Sequence, residues 1–435
     1  MAQLVRKLAA AEGRTCRILM DLAGHKIRTG PLEREPAVKH VHVRRNTLGA
    51  MVMPGEALIY RKGSAPAGQL SLPDEVFEQL QPDDRLRLVD TRGKKRSLHI
   101  VHRMASGPWL AQSKRSAYVA ADTPFHWQRA DADGGFHTLS EQRFADFPGM
   151  SVTIRLHVGD KLLLTASQTP GRAAILNPVG EVMAPASIGC THPEVVKALK
   201  VHDLVWIDDG KLGAVVTAIG PEGALLNIVH AHDKGVTVLA EKGFNFPSTP
   251  LNLPPLSQKD LRDLDTVCQL ADMVGFSFVE SLGDMECLIA ALAQRGKPHL
   301  PIIAKIETAR GVRHLPEILL GTLGRHPLGV MIARGDLAVE LGGVRLAEIQ
   351  EELLWLCEAA HVPVIWATQV LESLAKNGDL SRPEYTDAAM SGRADCVMLN
   401  KGPHIIKALS TLSDILQRMQ AHQQKKTARL RALHW

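Results

Sequence analysis

Between about 256 and 416 the chain alternates short apolar runs with segments whose apolar positions recur at helical spacing. The apolar runs predict strands over 271–278, 300–307, 329–334, 362–367 and 395–399. At 346–360, Leu346, Ile349, Leu353, Leu356 and Cys357 fall on one helical face. Ser257, followed by Gln-Lys-Asp260, supplies an N-cap and an acidic first turn for another helix. Near the start, Leu4, Leu8 and neighbouring alanines predict a helix stopped at Gly13, and 17–21 reads as a sixth strand. Strands this continuously apolar are buried on both faces, so the pattern means an α/β fold with a parallel sheet covered by helices. Two further strands would complete a (β/α)8-type (TIM) barrel. The chain opens inside a helix that should follow one of them, so the barrel is expected to be N-terminally incomplete.

From 31 to 255 the pattern changes to short alternating runs broken by Gly and Pro, which predicts an inserted all-β domain. The expected organisation is therefore 1–30 and 256–435 for the barrel, with 31–255 as the insert. The insert contains a candidate duplication, over about 43–120 and 150–250. Gly55 to Leu58, Pro73 to Val76, Leu80, Asp84 and Asp90 to Lys94 are echoed by Gly159 to Leu162, Pro193 to Val195, Leu199, Asp203 and Asp208 to Lys211. The polar stretch 121–149 reads as a linker between the two copies.

Composition narrows the function classes. The chain has 435 residues, a formal charge of +5 and only 4% aromatic residues. Scarce aromatics and a diffuse charge argue against a nucleic-acid partner. Six cysteines without a Cys-x-x-Cys pair read as free thiols, mostly buried, in a reducing compartment. No zinc-type histidine spacing, signal peptide or membrane-spanning run is present, so a cytoplasmic chain with no membrane partner is expected. His25, His314 and His404 read as surface or satisfied histidines, and the basic tail (Lys425, Lys426, Arg429, Arg431) as a solvated helix end.

The chemistry gathers at two strand ends. Residues two apart on a strand face the same way, so Lys305 and Glu307 project together. Asp336 closes the next apolar run, directly after Gly335. One ammonium and two carboxylates on adjacent strand ends suit a divalent metal beside a phosphoryl or carboxylate oxyanion. The plain alternative for Lys305 and Glu307 is a structural ion pair, and for Asp208-Asp209-Gly210 a simple turn.

These segments resemble pyruvate kinase. Lys305-Ile-Glu307 with Gly311-Val312, Met331-Ile-Ala-Arg-Gly-Asp-Leu337 with Glu340, and Ala367-Thr-Gln-Val-Leu-Glu-Ser373 are similar to its signatures and stand in its order. Ser381-Arg-Pro-Glu384 and Ala394-Asp-Cys-Val-Met-Leu399 continue the series. Upstream, Asp21-Leu-Ala-Gly24 through Ile27-Arg-Thr-Gly30, then Asp208-Asp-Gly210 and Gly243-x-Asn245-x-Pro247, resemble the family's strand-end and lid motifs. The resemblance covers 1–30 and about 190–416. It implies phosphoryl transfer between phosphoenolpyruvate and ADP, giving pyruvate and ATP. Under it, Glu307 and Asp336 hold Mg²⁺ or Mn²⁺, and Lys305 neutralises charge on the transferred group and the enolate. Thr368 positions protonation, and Arg28 contacts phosphate. Gly335, Asp336, Ser277 and Phe278 line the substrate pocket, while Asn245 and Asp209 contact the nucleotide. The β-insert becomes a closing lid, and a homo-oligomer is allowed.

Departures from the family pattern carry their own expectations. Lys26 stands where potassium-dependent members carry Glu, and Leu22 where they carry a potassium-binding Thr, so K⁺ is expected not to be required. Asn400-Lys-Gly-Pro-His404 replaces the usual Ser-Gly-Glu. A segment with the pattern Arg-x-Asn-x-Ser-His is expected upstream of Met1, as from a longer reading frame, and effector control through the family's C-terminal regulatory domain is not expected. The competing readings are a catalytically silent relative that binds phosphoenolpyruvate or nucleotide, an N-terminally truncated fragment of the active enzyme, and an interaction protein docking through its β-modules.

Overall fold

A computed structural model describes residues 1–423 apart from 132, 168 and 380, so the basic-tail reading lies outside the described residues. The described residues divide into two compact units: 1–31, 155–169 and those from 174 onward form one, and 32–154 with 170–173 form the other.

The first unit is built on a six-stranded sheet. Its strands are β1 (Leu19–Leu22), β2 (Met273–Phe276), β3 (Ile302–Ile306), β4 (Leu328–Ala333), β5 (Val364–Ala367) and β6 (Cys396–Val397), hydrogen-bonded in that order. Every pairing is parallel. All six coincide with apolar runs, because both faces are covered. On one face Val274, Ile302, Val330 and Trp366 meet the helices. On the other, Ile303, Met331 and Ala367 pack with partly buried Leu19, Met273, Ile365 and Met398. The helix expected at 346–360 spans Gly343–Ala359 and buries Ile349, Leu353 and Cys357. Ser257 caps Gln258–Leu270 through a reciprocal capping box with Asp260, as its sequence demands. The N-terminal helix is Ala2–Ala11.

The same unit carries a mixed six-stranded sheet, ordered Ala186–Gly189, Lys161–Thr165, Gly223–His230, Leu212–Gly220, Leu204–Ile207, Phe244–Asn245. The second unit carries a seven-stranded sheet. Five of its strands, Leu70–Leu72, Gly55–Arg61, Trp109–Ser113, Lys95–Arg103 and Arg85–Val89, repeat the first five places of that order. The first pair is parallel in each sheet. The correspondence reaches single hydrogen bonds. Asp84 and Ile100 exchange backbone bonds with their neighbours as Asp203 and Val216 do, and Asp83 and His202 are both left-handed at φ +71° and +76°. A register shift follows at Ile100/His102 in one sheet and at Val216/Ala218 in the other.

The linker expected at 121–149 is corrected by the structure. Pro124–Ala130 and Phe136–Arg143 are strands, the first paired with Arg85–Val89. Phe125 and Trp127 enter the core of that unit, and the Trp127 indole donates to Asp84 at 2.9 Å. The outer strand, Phe136–Arg143, buries none of its side chains fully, so its polar residues carry little alternation to read. All six cysteines are free: Cys190, Cys268 and Cys357 are buried, whereas Cys16 and Cys396 are exposed. Among the described residues no helix is long and apolar enough to cross a membrane.

Candidate active site

The C-terminal ends of β1 to β5 deliver the charged groups. Lys305, near the end of β3, lies 3.2 Å from Glu307 and 3.4 Å from Asp21 at the end of β1. Its ammonium also donates to Ser277 Oγ at 2.8 Å, and that hydroxyl donates in turn to the Leu22 carbonyl at 2.8 Å. Glu307 accepts from the backbone N–H of Phe278 at 2.7 Å. Phe278 holds that amide in place from a left-handed backbone, φ +56°. Asp21 reaches Lys305 across Gly275 on the neighbouring strand. A Cβ at Gly275 would sit 2.0 Å from the Asp21 carboxylate, so only glycine leaves room.

Asp336 stands in the first turn of helix Arg334–Leu341, directly after β4. Behind it, Thr368 follows β5 with φ +66°, a conformation a β-branched residue rarely adopts. Two groups from the β4 end hold it. Gly335 N–H donates to Thr368 Oγ1 at 2.8 Å, and the Arg334 guanidinium donates to the carbonyls of Ala367 and Thr368. Arg334 is itself fixed by Asp387 and lies 4.5 Å over the Trp366 ring. Glu340, one turn beyond Asp336, accepts from the N–H of Ala309 and from the side chain of Asn245. It thereby ties the mixed sheet to the helix that follows β3.

The electrostatics are those of carboxylates removed from water and crowded together. Burial raises Glu307 to about 7; Lys305 opposes the rise, and Asp336 adds to it. Burial likewise raises Asp336, Glu280 and Glu340, the last to about 7. For Lys305 burial acts downward, but Glu307 and Asp21 outweigh it, so the ammonium stays charged.

Of the residues expected from sequence, Lys305, Glu307, Asp336, Ser277, Phe278, Arg28, Asn245 and Asp209 line one cavity of about 1110 Å³. Thr368 and Gly335 do not line it. They line an adjoining cavity of about 700 Å³ that shares Asp336, Asp209 and Glu340 with the first. The Arg28 guanidinium is bonded to the Glu241 carbonyl. Asp208 is held by Lys211 at 2.9 Å and Lys242 at 3.0 Å, whereas its neighbour Asp209 lines both cavities. His25 bonds His192 and the Pro254 carbonyl, and His314 bonds the Glu280 carbonyl, so both are satisfied histidines. Asp21, Arg334 and Glu340 were given no role from sequence. Asp21 was within reach, since it too ends an apolar run in a charge.

A parallel-sheet α/β protein with an ammonium and paired carboxylates at its strand ends is defined by these features, and comparison with known proteins makes the class specific. A profile of the pyruvate kinase barrel domain matches residues 140–403, more than half of the chain. The chain belongs to the pyruvate kinase family. It is similar to the human pyruvate kinase PKLR, 36% identical over 212 residues, which is 48% of this chain and 35% of that protein. It is 35% identical to pyruvate kinase 1 of Saccharomyces cerevisiae over 230 residues, 51% of this chain and 44% of that protein. The pyruvate kinase of Candida albicans is 34% identical over 228 residues, with the same two shares. The chain thus spans between a third and a half of the length of the curated relatives it matches.

Proposed function

We propose that the chain is a pyruvate kinase that transfers a phosphoryl group between phosphoenolpyruvate and ADP. The observation that carries this reading is the Lys305 ammonium. It is held among Ser277, Asp21 and Glu307 within one cavity that also contains Asp336, Arg28 and Asp209. The six parallel strands are read as part of a (β/α)8-type barrel, the mixed sheet as its lid, and the second unit as a duplicate of that lid.

The residues fit a divalent metal. Glu307 is buried and Asp336 partly so; burial raises both, Asp336 raises Glu307 further, and the Lys305 ammonium lowers both, a charge balance that Mg²⁺ or Mn²⁺ completes. Among the described residues no third His, Cys, Asp or Glu joins them as a ready metal-binding group, so the other positions fall to substrate oxygens and water. Bound there, the metal supplies Lewis-acid stabilisation of the phosphoryl and enolate oxygens.

The chain's own groups supply the rest. Lys305 is kept protonated by Asp21 and Glu307, so it offers a fixed positive charge where the transferred group and the enolate oxygen gain negative charge. Gly335 and Asp336 present the start of a helix to the substrate carboxylate. Thr368 Oγ1, oriented by Gly335 N–H, stands ready to position a proton donor at the methylene carbon. Arg28 exchanges its bond to the Glu241 carbonyl for a phosphate oxygen. Closure of the lid excludes water, with Asn245 and Glu340 as one of its fastenings. Lys26 lines the same cavity, and its charge lowers Asp336, so an ammonium stands in for K⁺.

The test is a coupled assay of pyruvate formation from phosphoenolpyruvate and ADP with Mg²⁺. Activity should appear in the wild type and vanish in Lys305→Met. A protein that shows a phosphoenolpyruvate-dependent rise in Tm but forms no pyruvate is a silent relative instead.

A further inference from the structure

The chain-wide charge that excludes a nucleic-acid partner averages over an uneven distribution. Between Arg85 and Arg115, nine Lys and Arg residues face a single acid, Asp90, so this stretch carries more positive charge than the +5 of the whole chain. The corresponding stretch of the other sheet, 204–230, has one lysine, Lys211, against Asp208, Asp209 and Glu222. Both stretches build the same three antiparallel strands in the same order. The architecture therefore does not require the cations.

Burial and register place four of them, Arg85, Arg87, Lys95 and Lys114, on one face. In Arg85–Val89, Leu86 and Leu88 enter the core and turn Arg85 and Arg87 to the other side. In Lys95–Arg103, Leu98 and Ile100 enter the core and turn Lys95 and His99 outward. Arg85 pairs with His99, His99 with Gln112, and Lys114 lies two residues beyond Gln112 on the same side. Arg87, Lys95 and Lys114 are exposed and make no ion pair among the described residues. Arg92 and Arg96 differ, since both lie against Asp90. Burial, then Arg85 and Lys114, hold His99 below the usual histidine range, as expected where positive charges converge. The acids bordering the face are Asp83, which acts on His99 against the cations, Glu56, bonded to Gln112, and Glu141, opposite His126. The Arg85 guanidinium also lies 3.7 Å over the Phe136 ring centre, which gives the face an aromatic edge.

None of these cations stands directly opposite another across the sheet, so the fold carries them without a cross-strand clash of like charges. A sheet that keeps them exposed and unpaired gains from them only when an anion is present. We propose that this face of the second unit binds single-stranded nucleic acid through its phosphodiester backbone. The cations are spread over strands about 4.8 Å apart and, along a strand, about 6.6 Å apart. That spacing suits a polymer of regular phosphates laid across the sheet rather than one phosphate gripped by converging donors. Arg85 and Phe136 add a stacking edge for a base. With so little aromatic surface, recognition is sequence-independent and dominated by counterion release.

The experiment measures fluorescence anisotropy of a labelled oligouridylate of about 20 nucleotides with the full chain, between about 50 and 200 mM salt. Binding should weaken with salt at a slope near −0.7 per phosphate contacted, and the triple variant Arg87→Gln, Lys95→Gln, Lys114→Gln should lower that slope by about 2. The variant should also bind at least tenfold more weakly at the lowest salt, with Tm unchanged because all three residues are exposed. No binding by the wild type at about 50 mM salt, or binding the triple variant does not alter, overturns the proposal. So do vesicles containing phosphatidylserine that displace the oligouridylate at lower phosphate concentration than unlabelled oligouridylate, which would assign the face to a lipid surface. Pyruvate formation plays no part in these readouts.

Discussion

Thr368 accepts a hydrogen bond from the backbone of Gly335 at 2.8 Å while its own backbone sits at φ +66°. Strain of this kind costs about 1–3 kcal/mol and persists only where surrounding contacts over-determine it. Here those contacts are Gly335 N–H and the two carbonyl bonds from Arg334. Thr368→Val keeps the shape but removes the acceptor, leaving a partly buried N–H unsatisfied at about 1–3 kcal/mol. Urea unfolding should show that loss, and the pyruvate rate should fall at least tenfold. Thr368→Ser, which keeps the oxygen, should remain close to wild type in stability. Equal stability in the Val and Ser variants would mean that the bond does not hold the strand end.

Gly275 and Asp21 are expected to act as one unit. A methyl group at Gly275 collides with the Asp21 carboxylate, so Gly275→Ala should push Asp21 away from Lys305. Asp21→Asn removes the same charge without the collision. Each single variant should slow pyruvate formation, and the double variant should be little worse than either, with a coupling of at least about 0.5 kcal/mol. Additive losses would show that Gly275 matters for something other than room for Asp21.

The carboxylates set the response to pH. Glu307 and Glu340 are raised to about 7 by burial, and Asp336 and Glu280 move the same way. Over the interval between the unfolded and folded pKa values, the folded chain holds more protons than the unfolded one. The contribution of these groups to stability is therefore greatest below the unfolded carboxylate range and is lost as pH rises through about 7. Urea midpoints of the metal-free chain should fall between about pH 5 and pH 8. Glu340→Gln keeps an acceptor for Ala309 N–H but cannot ionise, so its midpoint should fall less. A midpoint that rises over this interval would reverse the assigned direction.

Sequence carried the parallel sheet because strands buried on both faces cannot hide their composition: each of the six strands lies within or beside an apolar run. It carried Lys305 and Glu307 for a similar reason, since period-two spacing at a strand end is local. It showed Asp21 and Glu340 as members of motifs but not their contacts: Lys305, the partner of Asp21, is distant in the chain, and the contacts of Glu340 with Ala309 and Asn245 join three separate segments. The left-handed backbone of Thr368 runs against the preference of a β-branched residue, so no propensity could announce it. In the second unit, the strand Phe136–Arg143 was missed because an edge strand with an exposed polar face has little pattern to show. The repeated sheet is informative in another way. Asp90 is gripped by Arg92 and Arg96 much as Asp208 is gripped by Lys211 and Lys242. That parallel gives Asp208 the same held position at a turn as Asp90, whereas Asp209 lines both cavities.

Lys26 gives the most direct test of how charge is balanced in the cavity. It lines the cavity with Lys305 and Asp336, and its ammonium lowers Asp336 against the upward push of burial. An ammonium acting on Asp336 from that position is expected to make a monovalent metal ion redundant. In Lys26→Glu the cation becomes a third carboxylate beside two that already crowd each other, which should raise Asp336 further. The wild type should turn over at the same rate in K⁺ and Na⁺ at equal ionic strength. The variant should lose at least tenfold in Na⁺ and recover part of that loss in K⁺, because the new carboxylate then has an ion to hold. A wild-type rate that climbs steeply with K⁺, or a variant indifferent to both ions, would show that Lys26 does not stand in for the ion.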